Sequence, residues 1–230
     1  MYIRTTLLLL ITLSLSISIG CNQPTKTPSA SLSKQDRFYC DSLKIDSSII
    51  VLLRIITDSA VIPFPGNSQH IYQEDSTIAQ VPGLVFNASH TSADRIVADL
   101  SVSFRAKGYT IFILDEQFGI QNHSNTLAIL KTTDKYQVLK QVGTNGINYD
   151  ITNDSLLTII KTFDQKYGLQ LTGASGDWCQ FKINKPPVNW LTFAKEAYKV
   201  CPDIVEQGAG DVDKLAEEMQ RTGVLYFWWD

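Results

Sequence analysis

The pattern of apolar and polar positions divides this chain into a short greasy leader and a long interleaved remainder. Leu7-Leu8-Leu9-Leu10-Ile11 through Ile19 is interrupted only by Thr and Ser, with Arg4 before it and Cys21 after it. A spanning helix needs ~20 apolar residues, so this run has the dimensions of a secretory leader instead. Ser18-Ile19-Gly20-Cys21 reads as a bacterial lipobox, which predicts removal of residues 1–20 and acylation of the Cys21 thiol. Ser18 stands where a branched apolar residue is preferred, and an ordinary leader cut elsewhere is the alternative. Asn22 to Ala30 is rich in Pro, Thr, Ser and Asn, and residues 21–40 are read as a flexible tether to one domain at 41–230.

Within that domain the apolar spacing predicts alternating helices and strands. Ile49 to Ile56 reads as a buried helix ending near Ser59, and Pro63 and Pro65-Gly66 break the chain before a polar loop from Asn67 to Gln80. Pro82 to Phe86 opens a strand. Thr91 and Asp94 flank a helix start whose Ile96, Val97, Leu100 and Phe104 share one face until Gly108. Tyr109 to Leu114 and Leu127 to Leu130 are strands, and Asp134 to Val142 is a helix. Asn145-Gly146 reads as a turn in which the glycine takes a positive φ. A helix capped at Thr152 or Asn153 runs to Gly168, and strands follow at Leu169–Thr172 and Trp178–Ile183. Asn189 and Asp211 cap two further helices, and Val224 to Trp229 is a last strand. The order predicts an α+β fold, a mixed and mainly antiparallel sheet flanked by helices in a single domain.

Charge and cysteine usage narrow the partners. Without Arg4 the balance is 19 basic against 23 acidic residues, or −4, which argues against nucleic acid or an anionic lipid surface as the main partner. Beyond Cys21, the set Cys40, Cys179 and Cys201 allows at most one disulfide in an oxidising compartment. Cysteine spacing and the three histidines, His70, His90 and His123, give no metal pattern, and no cofactor loop is present, so neither a metal nor a cofactor is expected.

Four stretches carry the remaining chemistry: Thr144-Asn145-Gly146-Ile147-Asn148-Tyr149-Asp150, Gly173-Ala174-Ser175-Gly176-Asp177-Trp178, Cys201-Pro202-Asp203-Ile204-Val205-Glu206-Gln207-Gly208, and Phe227-Trp228-Trp229-Asp230. In this order and spacing the chain resembles the bacterial domain-of-unknown-function 4253 family over roughly Tyr109 to Asp230, with Glu206 where Asp is more usual. The resemblance implies a fold and a kinship, and the family brings no established activity with it. Cys201 falls at a helix C-terminus, where the dipole raises a thiol pKa and no histidine stands by, so a buried structural cysteine is the favoured reading over a nucleophile. Gln207 to Asp211 reads as an interhelical loop with Asp211 as cap, though a cation held by Asp203, Glu206 and Asp211 is conceivable.

If a pocket exists, Asn148, Tyr149, Asp177, Asp203, Gln207 and Trp229 are expected near it, partly on the strength of the resemblance. The expected protein is lipid-anchored in the cell envelope, in the outer membrane facing the periplasm, and a non-catalytic module for an unknown protein or small-molecule ligand. The alternative is a hydrolase with Asp203 or Asp177 as general base. An enzyme requires these carboxylates to converge in a cleft, whereas a binding module leaves them as caps and turns.

Overall fold

The computed structural model describes residues 32–66, 80–116 and 124–230; the leader, Cys21, Asn22 to Ala30, His70, His123 and nearly all of the polar loop expected at 67–80 lie outside them. The elements in order are α1 (Lys34–Leu43), α2 (Ser47–Ile56), β1 (Ile62–Pro63), β2 (Gly83–Ser89), α3 (His90–Ala106), β3 (Thr110–Asp115), β4 (Ser124–Leu130), α4 (Lys135–Val142), α5 (Asn153–Tyr167), β5 (Leu169–Ala174), β6 (Trp178–Ile183), α6 (Trp190–Val200), α7 (Val212–Thr222) and β7 (Val224–Trp228). A 3-10 turn at Ile147–Tyr149 and a π-helical turn at Ile204–Ala209 complete it.

The described strands form one seven-stranded sheet in the order β1-β2-β4-β3-β5-β6-β7. β3 and β5 run parallel, and the other neighbouring pairs are antiparallel. The fold is α+β, a mixed sheet flanked by helices. β2, α3 and β3 make a strand-helix-strand unit, but β4 is inserted between the two strands and pairs with both. Periodicity along the chain cannot reveal such an insertion, because it fixes which face a residue takes and not which strand lies next to it.

Alternation along each strand sorts the core into two layers. Leu127 and Ile129 of β4 join Val97 and Phe104 of α3 and Ile49, Ile50 and Leu53 of α2 on one face. Ala128 and Leu130 join residues of α4 to α7 on the other. In β6, Cys179, Phe181 and Ile183 face the second layer while Trp178 faces the first. Caps follow the expected chemistry: Thr152 accepts from the Ser155 amide, Asn189 from Thr192 and Asp211 from Lys214. For α3 the cap position is Ser89, ahead of the expected Thr91 and Asp94. No helix among the described residues is long and apolar enough to cross a membrane.

The N-terminal boundary differs from the sequence reading. Lys34–Leu43 is a helix where residues up to 40 were expected to be tether. Its start is fixed by a capping box, in which Ser33 accepts from the Asp36 amide and Asp36 accepts from the Ser33 amide, both at 3.0 Å. Its face is fixed by Tyr39, buried against the α2 layer, and by Asp36, which accepts a 2.7 Å hydrogen bond from Arg54 of α2. A polar, capped helix that docks through Tyr39, the partly buried Cys40 and Leu43, and one ion pair leaves little apolar periodicity to read.

Burial opposes ionisation of Asp36, but hydrogen bonds from Arg54 and Ser33 outweigh it and hold its carboxyl below the usual value. A folded pKa below the unfolded one means that the pair's stabilisation is present above the ordinary carboxylate range. It is lost as pH falls through the folded pKa. Arg54→Ala should therefore cost about 1–3 kcal/mol at neutral pH in urea unfolding and less in acid. An equal loss at both pH values would show that Arg54 acts only through packing.

Candidate functional site

The four motif stretches, far apart in sequence, meet at one end of the sheet around Asp203. After α6, Cys201-Pro202 turns the chain into the π-helical segment, whose amides at Val205 and Glu206 both bond the Pro202 carbonyl. That wide turn brings Gln207 back over Asp203, with Nε2 donating to Oδ1 at 3.1 Å. The Tyr149 hydroxyl donates to the same oxygen at 2.5 Å, and the Asp230 amide donates to Oδ2 at 3.0 Å. Asp203 is only 3% exposed. Burial opposes its charge, but the donations from Tyr149, Asp230 and Gln207 outweigh it and hold the carboxyl below its usual range. The Tyr149 phenol is pushed up to about 12, first by its bond to that carboxylate and then by burial.

The neighbouring bonds tie the other motifs to the same joint. The Cys201 thiol donates to the Trp228 carbonyl at 2.8 Å and accepts from the Trp228 amide at 3.3 Å, closing the outer edge of β7. The Trp229 amide donates to the Asp177 carbonyl at 3.0 Å, and its indole donates to the Val200 carbonyl at 3.3 Å. The Asn145 amide and Thr144 hydroxyl donate to the carbonyls of Gly176 and Ser175. Trp228 and Trp229 take opposite faces, as alternation requires, and the buried Trp229 ring stacks on Phe227.

Gly146 corrects the sequence reading. Its φ is −123°, so no left-handed conformation is involved; Gly143, three residues earlier, takes φ 79°. What excludes a side chain at Gly146 is the Trp229 indole, whose ring atoms lie 2.8 Å from where a Cβ would stand. An Asn-Gly pair signals a turn, but close approach of a residue over eighty positions away leaves no local trace.

Of the expected pocket residues, the joint unites the side chains of Tyr149, Asp203 and Gln207, with Trp229 packed beside them. Asp177 contributes its backbone carbonyl while remaining exposed, and Asn148 is exposed on the 3-10 turn with no part in the joint. The conceivable cation site does not assemble. Asp211 caps α7 and pairs with Lys214, and Glu206 accepts from the Tyr198 hydroxyl. Among the described residues no group of three or more His, Cys, Asp or Glu side chains is placed to hold a metal. Cys40, Cys179 and Cys201 are all free thiols.

Residues 126–230 match the family described as Domain of unknown function (DUF4253). All four motif stretches, and so the whole Asp203 joint, lie inside the DUF4253 segment. That segment begins in β4 and spans the layer of α4 to α7, while α1 to α3 precede it. No curated protein and no solved structure matches the chain.

Two substitutions probe the joint. Gly146→Ala should cost about 1–3 kcal/mol, because the added methyl must displace the buried Trp229 ring. Urea unfolding with parental stability would show that the ring yields freely. Cys201→Ala should cost about 1–3 kcal/mol by removing a fully buried thiol that bonds both backbone groups of Trp228. Burial pushes this thiol up to about 11, so in the native parent it should resist a thiol reagent that labels the half-buried Cys40. Faster labelling at Cys201 than at Cys40 would contradict that assignment.

Proposed function

We propose that the protein is a bacterial lipoprotein of the cell envelope, anchored through Cys21 to the outer membrane and facing the periplasm, whose folded domain is a non-catalytic binding or interaction module. The anchoring rests on the sequence alone: the apolar leader, its basic start and Ser18-Ile19-Gly20-Cys21. The observation that carries the non-catalytic reading is the state of Asp203. A general base needs a free acceptor with a pKa near the working pH. Asp203 instead spends both oxygens on three internal donors and has its pKa lowered by them.

The same joint favours binding at its rim. Tyr149 pins the 3-10 turn to Asp203, and that turn holds Ile147 outward at 64% exposure. A fixed, exposed apolar side chain loses little entropy when a partner covers it.

Cys21→Ser should release the full-length protein from membranes into the soluble fraction without changing its unfolding transition. Retention of the Ser variant wholly with membranes would overturn the anchor. For the domain, turnover of ester or amide probes that disappears in Asp203→Asn would overturn the non-catalytic reading and restore the hydrolase.

A further inference from the structure

A second polar position lies in the other half of the molecule, ahead of the DUF4253 segment. β2, β3 and β5 all run the same way, and where β2 ends and β4 begins, Ala88 faces Asn125 and Ser89 faces Ser124. Asn125 is 1% exposed, and among the described residues neither its Nδ2 nor its Oδ1 has a hydrogen-bond partner. Buried carboxamides are almost always paired, so one that presents an idle donor and an idle acceptor together calls for an occupant. Its neighbour Thr126, on the opposite face, shows the ordinary arrangement by donating to Asn87 across the same strand pair at 3.2 Å.

Asn125 emerges on the face of Leu127 and Ile129, which pack in one layer with Ala88 and with Ala93 and Val97 of α3. Asn125 therefore stands on the sheet face that α3 covers, at the end of the sheet where α3 begins. This helix of 17 residues starts directly from β2, has no acidic residue in its first turn, and receives no side-chain cap bond. The Ser89 hydroxyl meets those of Ser92 and Thr91 instead of a helix amide. The open amides and the helix dipole favour negative charge at this spot, and the hydroxyls add neutral donors.

We propose that Asn125 and the N-terminal turn of α3 bind a phosphate group that carries a proton, either free hydrogen phosphate or a monoester. Such a group satisfies both idle atoms: a phosphoryl oxygen accepts from Asn125 Nδ2 while the P–OH donates to Oδ1. The remaining oxygens take the amides and hydroxyls of the turn. Sulfate has the same shape and charge but no proton at neutral pH, so it leaves Oδ1 unpaired and is rejected. Asp115, opposite Thr126 at the end of β3, and Glu116 just after it lie at the same end of the sheet and weaken the field for an anion, so selection rests on the proton and affinity is modest.

The site depends on the domain being a binding module but not on the Asp203 joint or on Cys21. Isothermal titration of the full-length protein in detergent would use inorganic phosphate, sulfate and glycerol phosphate, with Asn125→Leu and Asn125→Asp as variants. The expected result is saturable phosphate binding, sulfate weaker by about tenfold or more, and a loss of about tenfold or more in both variants. Asn125→Leu should keep or raise the melting temperature, since it removes two unpaired polar atoms. Binding of glycerol phosphate without inorganic phosphate supports the proposal and identifies an ester as the source if it tightens as pH falls through about 6, where the ester holds its proton, and overturns the proposal if it does not. The proposal is overturned if the parent binds neither, if sulfate matches phosphate, or if Asn125→Leu binds like the parent. Ester turnover through Asp203 alongside phosphate binding at Asn125 would sink the non-catalytic reading and leave the phosphate site standing.

Discussion

Three segments at one end of the C-terminal half hang on a single buried carboxylate. A charge taken out of water must be met by donors at close range, and Asp203 meets neutral ones: a phenol, a carboxamide and a backbone amide. Each donor belongs to a different piece of chain, so satisfying the charge fixes the 3-10 turn, the π-helical turn and the end of β7 at once. Two of the three donors are side chains at the protein surface. The joint can therefore be rigid inside while its rim faces solvent, the arrangement expected of a preorganised binding edge.

The same bonds deal with the weak point of any open sheet, its last strand. β7 is an edge, and an unpaired edge invites association with other chains. Cys201 closes one position by serving Trp228 as donor and acceptor, and the Trp229 ring is locked between Gly146 and Phe227. A cysteine used in this way is a small buried polar group, and burial that raises its pKa makes it inert as well. The other edge is handled more simply, since β1 is only two residues long and includes Pro63.

Local signals were legible wherever capping and periodicity speak plainly. Asp134, Thr152, Asn189 and Asp211 were readable as helix starts, and the faces of β6 followed from alternation. Three features were not readable, each for a different reason. α1 is held by one ion pair, one aromatic ring and the partly buried Cys40 and Leu43, so it shows only a short apolar stripe. The turn at Ile204–Ala209 looks like a loop in sequence because its function is to reverse the chain over Pro202, and its side chains are mixed. Asn125 is one asparagine among many, and only its burial without a partner sets it apart.

The sequence by itself determined the α+β alternation of elements, the two faces of most strands and the likeness of residues 126–230 to the DUF4253 family, because each of these is written in spacing along a few neighbouring residues. Only the tertiary structure decided that β4 lies between β2 and β3, that Gly146 is needed for Trp229 and not for its own φ, and that Tyr149, Asp203 and Gln207 share one hydrogen-bonded joint while Asn148 stays outside it. These are contacts between residues tens of positions apart. They arise from burying apolar faces and satisfying polar groups across the whole domain, a condition that no local window of the chain contains.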